Sequence, residues 1–161
     1  MGRPLPGPAV IPERPPAHPD ARFHAASRAY LVYGIVYWVG AAYAAFHGIG
    51  VRAEGRIDGR GITWVVLGLV FVILIPYLLR RRRPWFERWI LARRDFARII
   101  SLSMAWRAVE VGTRAMRPES ASLPAPWGGE LSFRVAYAVF FVVTVAALAF
   151  VARAAWSSER P

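Results

Sequence analysis

The chain contains no cysteine. Disulfide bridges, thiolate catalysis, cysteine-ligated zinc and iron–sulfur clusters are therefore all excluded. Groups for acid–base or metal chemistry are also scarce, because the chain has only three histidines, in separate places, and no catalytic pair or phosphate-binding glycine loop has a suitable spacing. We therefore expect that the chain is not an enzyme on its own.

Lysine is absent as well, and all 21 basic residues are arginine. We interpret this composition as the codon bias of a GC-rich bacterial genome, which predicts a prokaryotic protein. The formal net charge of +11 suits a polyanionic partner, either nucleic acid or an anionic lipid surface. The long uncharged stretches of the chain favour the lipid, so we expect no nucleic-acid partner.

Charged residues are missing from three apolar runs, Ala29 to Gly50, Gly61 to Leu79 and Val135 to Ala152. An α-helix rises about 1.5 Å per residue, so each run is long enough to cross the hydrocarbon core of a bilayer. A soluble domain of 161 residues would have little sequence left to cover three helices that are apolar all round. The runs predict an all-α, multi-pass protein of the prokaryotic plasma membrane with three transmembrane helices.

The segment 80–117 determines the predicted orientation, because it contains eleven arginines and only three carboxylates. Clustered arginine is retained on the cytoplasmic side of spanning helices. Alternation of three spans then places the tail 1–28 inside the cell and both the loop 51–60 and the tail 153–161 outside. The predicted topology is N-in and C-out.

Two proline-rich segments are predicted to lie outside the helices. Seven of the thirteen prolines fall between Pro4 and Pro19, a density that favours extended chain, so the tail 1–28 is predicted to be disordered. We interpret it either as a strap on a partner subunit or as a passive solvated tail. Three prolines and the Gly128–Gly129 pair predict a linker over 118–134.

The first part of the arginine-rich segment has the pattern of an amphipathic helix. Apolar residues between Trp85 and Ser103 share one helical face, which predicts a helix lying along the cytoplasmic membrane surface. Arginines of this region would lie among anionic headgroups. The residues predicted to contact headgroups or a partner surface are Arg80, Arg81, Arg82, Arg83, Trp85, Trp89, Arg94 and Arg98.

Beyond Ser103 the pattern changes, because Arg107, Glu110 and Arg114 recur at spacings of three and four between apolar flanks. A polar stripe bordered by apolar surface predicts a helix that packs against another protein. The alternative is a fourth, poorly hydrophobic span. Three charges in such a span would cost several kcal/mol if they faced lipid.

The first predicted span carries a packing signal and a candidate ligand. Gly40, Ala44 and Gly48 recur every four residues, and small residues at this spacing allow a neighbouring helix to approach closely. His47 is the one imidazole within a predicted span and is a candidate haem or quinone ligand. It also lies within one turn of the end of the span, where water or headgroups could satisfy it.

Together these patterns predict a small accessory or scaffolding subunit of a larger prokaryotic membrane complex, with other integral membrane subunits and anionic lipids as partners. One alternative is a haem b or quinone-binding membrane anchor of a respiratory or photosynthetic electron-transfer complex, centred on His47. The other is a self-associating pore or transporter, for which Thr63 and Thr144 are the main polar groups within the spans. The cofactor and the partner complex are unknown from the sequence.

Overall fold

The computed structural model describes residues 19–47, 59–81, 83–117 and 122–157. This part of the chain is mostly helical, which confirms the all-α prediction with one short β-hairpin added. Its elements in chain order are α1 (Pro19–Phe46), α2 (Gly59–Arg80), α3 (Pro84–Trp89), α4 (Arg93–Met116), β1 (Ser122–Pro124), β2 (Glu130–Ser132) and α5 (Phe133–Trp156).

The first two long helices, α1 and α2, pack against each other in opposite directions. The Ser27 hydroxyl in α1 donates a hydrogen bond to the Pro76 carbonyl near the end of α2, at 2.9 Å. Further along, Gly34 lies so close to Val72 that a Cβ atom on Gly34 would be 2.6 Å from Val72 Cγ1. Glycine at this position therefore sets the distance between the two helices.

The last two long helices, α4 and α5, are antiparallel along their whole length. At one end Arg94 Nη2 donates to the Ser157 carbonyl at 3.5 Å. Towards the other end, a Cβ atom on Gly112 would lie 3.0 Å from Cε2 of Phe141. Because α5 also packs against α1, the four long helices lie side by side in the order α2, α1, α5, α4.

Small residues build the contact between α4 and α5, which we call the inner seam. On both helices the buried residues recur at alternating spacings of three and four, the repeat of helices that pack with knobs into holes. The hydroxyls of Ser101 and Thr144 donate to carbonyls four residues earlier in their own helices, at 2.8 and 2.7 Å. The inner seam consists of Ala97, Ser101, Met104, Ala108 and Val111 on α4 and of Thr144, Ala147, Val151 and Ala154 on α5.

The end of the bundle where α1 and α4 begin and where α2 and α5 finish is the closed end. Its buried apolar cluster includes residues of all four long helices, namely Ala26, Ile75, Leu79, Ala97, Ile100, Ala154 and Ala155. The buried Arg93 lies over the Phe23 ring, with Cζ 4.0 Å from the ring centroid. Arg93 Nε and Nη2 also donate to the Leu79 carbonyl, one of the carbonyls that a helix end leaves without a partner. A single side chain thus connects α1, α2 and α4.

The opposite end of the bundle, which we call the hairpin end, contains the β-hairpin. Its strands are antiparallel with Leu123 opposite Leu131, and the connecting turn uses Gly128 and Gly129 at φ 92° and 85°, where other residues are strained. The Tyr43 hydroxyl of α1 donates to a carbonyl of β1, at 2.6 Å. The hairpin therefore fixes the start of α5 near the end of α1.

Two predicted boundaries differ from the structure. α1 begins at Pro19, so the last part of the tail predicted to be disordered is helical. The predicted linker contains the hairpin, and α5 begins at Phe133. The N-terminal part of the tail, at 1–18, and most of the predicted loop, at 51–58, lie outside the described residues.

The predicted surface helix from Trp85 to Ser103 is divided in the structure. α3 ends at Trp89, and α4 begins at Arg93 after Ala92, which is extended at φ −61° and ψ 142°. α4 then continues through Ser103 to its end, because the buried residues of the inner seam lie on both sides of that position. The second part of the predicted surface helix is therefore the start of a helix that follows α5.

Among the described residues one helix, α5, is long and apolar enough to cross a membrane. Its most apolar window has a mean hydropathy of 2.6, and only 17% of that window is buried inside the protein. A shorter apolar helical stretch, Leu67–Arg80, lies within α2. These features support membrane association, while the other two of the three predicted spans are not confirmed.

Replacing Gly34 with alanine tests the close approach of α1 and α2. The added Cβ would overlap Val72, so Gly34→Ala should lower the free energy of unfolding by about 1–3 kcal/mol. The matched control is Gly40→Ala on the same helix, where a Cβ atom meets nothing within 4 Å. The control should be neutral or stabilising, because alanine favours helix over glycine by about 1 kcal/mol. Unfolding followed by circular dichroism in detergent distinguishes the two variants, and equal stabilities would contradict the predicted contact.

Candidate functional site

A cavity of about 330 Å³ lies between α1, α4 and α5, towards the hairpin end. It exists because α1 and α4 both pack along α5, while α1 and α4 approach each other mainly through long side chains. At the closed end the same three helices share the buried cluster, so they are closer there than at the cavity. The cavity is lined by Val36, Tyr37, Gly40, Ala41 and Ala44 of α1, Arg107, Val111 and Arg114 of α4, Leu123 of β1, and Phe133, Ala136, Tyr137, Val139 and Phe140 of α5.

Two arginines and one carboxylate on α4 form the charged part of this site, which we call the charged triad. Arg107 Nη1 donates to Glu110 Oε2 at 2.6 Å, and Arg114 Nη2 donates to Glu110 Oε1 at 2.8 Å. The spacings of three and four place all three side chains on one face of the helix. Because one carboxylate serves two guanidinium groups, the triad carries a net positive charge.

Aromatic rings of α1 border the charged triad. Arg107 Cζ lies 5.4 Å from the centroid of the Tyr37 ring, in the arrangement of a cation–π contact. Tyr37 and Tyr33 both lie against Phe140 of α5, with ring centroids 5.8 and 5.5 Å apart. Two tyrosines of α1 therefore pack on α5, and one of them, Tyr37, also contacts the triad.

The small residues of α1 lie at this cavity rather than beneath another helix of the chain. Gly40 and Ala44 line the cavity, and the position of a Cβ atom on Gly40 is open space. Gly48, the third residue predicted to pack helices, lies outside the described residues. The close helix approaches occur instead at Gly34, Gly68 and Gly112, which the sequence analysis did not single out because none of them belongs to that four-residue repeat.

His47 lies at the end of α1 and is exposed. Its ring contacts Tyr43 and Phe46, with centroids 4.6 and 5.4 Å apart, and it does not line the cavity. His24 is near the other end of the same helix, about 35 Å away at the helical rise. The two described histidines therefore cannot ligate one haem, and no cluster of three metal-binding side chains occurs in the described part of the chain.

Most of the residues predicted to contact headgroups meet at the closed end. Arg80 and Arg81 are exposed where α2 ends, and Arg83 Cζ lies 4.3 Å from the centroid of the Tyr77 ring. α3 exposes its two tryptophans, while Arg98 pairs with Asp95 at 2.7 Å on the surface of α4. Arg82 lies outside the described residues. The predicted set thus includes Arg80, Arg81, Arg83, Trp85, Trp89, Arg94 and Arg98 at the closed end, whereas Arg107, Glu110 and Arg114 line or border the cavity.

α4 exposes a second apolar stripe, which we call the outer stripe. From Ile99 to Val109 its residues again recur at spacings of three and four, and Met116 follows two helical turns later. The stripe lies roughly opposite the inner seam on the helix. Its residues are between 51% and 82% exposed, and Trp106 near the middle is 76% exposed. In the sequence, Trp106 and Val109 belong to the apolar flanks of the polar stripe, whereas Ile99 and Leu102 lie within the predicted surface helix. The outer stripe consists of Ile99, Leu102, Trp106, Val109 and Met116.

Comparisons with known proteins identify no relative. No protein-family model matches the chain, and neither a curated protein nor a solved structure matches it. The function proposed below therefore depends on the geometry of the chain alone.

A double-mutant cycle tests whether the coupling energy within the charged triad exceeds that of an exposed ion pair. Arg107 and Glu110 are 32% and 34% exposed, whereas the Arg98–Asp95 pair at the same spacing on the same helix is 45% and 49% exposed. We expect a coupling energy of about 1 kcal/mol or more for Arg107→Gln with Glu110→Gln, because partial burial weakens solvent screening. The control cycle, Arg98→Gln with Asp95→Asn, should give about 0.3–0.5 kcal/mol. Equal couplings in chemical unfolding would show that the triad behaves as an exposed pair.

Proposed function

We propose that this chain is a multi-pass accessory subunit of a prokaryotic membrane complex and that it binds a transmembrane helix of a partner subunit along the outer stripe of α4. The outer stripe is the observation that carries the proposal. α4 has two apolar stripes that share the alternation of three and four residues as far as Val109, and α5 packs against only one of them, the inner seam. The repeat is suited to a second helix that packs with knobs into holes.

Charges beside the outer stripe favour a protein partner over lipid. The Arg98–Asp95 pair is half-exposed next to the stripe, and Glu110 with Arg114 lies on its other side. Ionised side chains that face lipid are costly, whereas a neighbouring helix can offer polar groups to them. Trp106 adds a large rigid side chain of the kind that contributes most to protein interfaces.

In this proposal four helices cross the membrane instead of the three predicted. If α5 crosses, then α4 crosses beside it, because the inner seam holds the two helices together over their full length. α1 and α2 have 28 and 22 residues, which is also enough to cross about 30 Å. The fourth helix reverses the predicted position of the C-terminus, since α1 begins and α5 finishes at the same end of the bundle.

The distribution of arginine supports this orientation. The described residues at the closed end include Arg22, Arg28, Arg80, Arg81, Arg83, Arg88, Arg93, Arg94, Arg98 and Arg153, with Asp20, Glu87 and Asp95 as the described carboxylates near them. At the hairpin end the described arginines Arg60, Arg114, Arg117 and Arg134 are accompanied by Glu110 and Glu130. Arginine is retained on the cytoplasmic side of spanning helices, so the closed end is cytoplasmic in this proposal. Both chain termini are then on the cytoplasmic side as well.

The two alternative functions have less support from the geometry. The exposed His47 lies apart from the cavity, so the cavity offers no imidazole to a haem or quinone. A self-assembled pore would need polar groups along a path through the bilayer, and Thr144 donates its hydroxyl to a carbonyl of its own helix.

Crosslinking tests the proposed partner surface. A photoreactive amino acid replaces Trp106 in the outer stripe, and the control position is Val142, which is 65% exposed on α5. The tagged full-length chain is illuminated in its native membranes, and its adducts are identified by mass spectrometry. We expect an adduct with an integral membrane protein at position 106, at least fivefold more abundant than at position 142.

Two outcomes would contradict the proposal. Equal adduct yields at both positions would show that the outer stripe is an ordinary lipid-facing surface. Adducts at position 106 that contain only a second copy of the chain would favour a homo-oligomer.

A further inference from the structure

We propose that the cavity between α1, α4 and α5 is a binding site for one anionic phospholipid, with the phosphate at Arg114 and an acyl chain along Gly40. The site extends the lipid binding expected from the sequence to a specific position at the end of the bundle opposite the closed end. It rests on the proposed function in one respect, because α4 must lie within the membrane for a lipid to enter the cavity.

Charge is the first argument for an anionic ligand. Both carboxylate oxygens of Glu110 are already hydrogen-bonded, one to Arg107 and the other to Arg114. The second positive charge of the triad therefore has no carboxylate within the triad to neutralise it. A net charge beside apolar walls is costly, and a bound anion removes that cost.

The walls of the cavity are the second argument, because they favour an acyl chain. Apart from the two arginines and the two tyrosines, the lining side chains are apolar or glycine. The volume of about 330 Å³ lies within the range of small-molecule pockets, about 300–1,000 Å³. Gly40 leaves the wall open at its centre, where a Cβ atom would touch nothing within 4 Å.

The position of Arg114 along the bundle is the third argument, because it corresponds to the level of the lipid phosphates. Arg114 is in the last turn of α4, whereas Arg107 lies two helical turns, about 10 Å, further into the bundle. Trp127 in the hairpin beyond α4 is 77% exposed, and exposed tryptophan is typical of the headgroup layer. Arg114 thus has the depth of a headgroup, and its planar guanidinium suits the two oxygens of a phosphodiester.

Native mass spectrometry of the purified full-length chain tests the site. The chain is incubated in mild detergent with phosphatidylglycerol or with phosphatidylcholine, at one fixed lipid concentration. We expect one bound phosphatidylglycerol per chain and at least fivefold less phosphatidylcholine. Excess inorganic phosphate should not displace the phospholipid, because phosphate leaves the apolar walls uncovered.

Two variants and one control identify where the lipid binds. Arg114→Gln removes the phosphate ligand, and Gly40→Leu fills the open wall of the cavity, so each should reduce bound phosphatidylglycerol at least fivefold. Arg134→Gln is the control, since it removes an exposed arginine that lies at the same end of the bundle but does not line the cavity. The control should retain lipid binding within twofold. Thermal unfolding of each variant confirms that it is folded.

Unchanged binding in both variants, equal loss in the control, or displacement by inorganic phosphate would each overturn the proposal. Equal binding of phosphatidylcholine would overturn its charge requirement. The measurement uses the isolated chain, so it does not depend on a partner subunit. Failure to crosslink a partner at position 106 would therefore leave the lipid result intact, and loss of lipid binding would leave the partner surface intact.

Discussion

The inner seam between α4 and α5 is the contact on which the rest of the arrangement depends. Lipid tails are as apolar as leucine, so helices in a membrane are held together by dispersion contacts and hydrogen bonds rather than by the hydrophobic effect. Small side chains serve this purpose because they allow two backbones to approach closely. Alanine at positions 97, 108, 147 and 154 supplies that closeness, and Ser101 and Thr144 satisfy their hydroxyls within their own helices.

The inner seam positions the charges of α4 within the bundle. α4 could not place Arg107 beside α1 unless it followed α5, and Arg107 then lies against the Tyr37 ring. At the closed end Arg93 draws α1, α2 and α4 together through the Leu79 carbonyl and the Phe23 ring. The helices are joined less closely at the hairpin end, and the cavity is the result.

Helices with strong apolar runs could be predicted from the sequence, because each of them contains a long stretch without charged residues. α5 begins two residues before the predicted span, and α2 extends beyond its predicted span by two residues at the start and one at the end. The course of α4 was harder to predict, because its inner seam mixes alanine, serine and methionine and does not stand out from a surface helix. The amphipathic pattern of Trp85 to Ser103 arose from two elements, α3 and the first turns of α4, which are separated by extended backbone at Ala92.

The candidate site was predicted in part. Arg107, Glu110 and Arg114 were recognised as one polar stripe from their spacing, and Gly40 and Ala44 as one small-residue stripe, but the sequence did not indicate that both line one cavity. That juxtaposition depends on helices far apart in the chain. The role of Arg93 was also missed, because nothing in the sequence distinguishes the one buried arginine from its exposed neighbours.

The position of the C-terminus is the most direct test of the central claim that α4 crosses the membrane beside α5. A reporter that is active only in the cytoplasm is fused to the N-terminus or to the C-terminus of the full-length chain, and an insertion of the reporter in the predicted loop 51–60 is the external control. Four crossing helices predict full activity from both terminal fusions and little from the loop. An active N-terminal fusion with an inactive C-terminal fusion would contradict four crossings and restore the three-span topology.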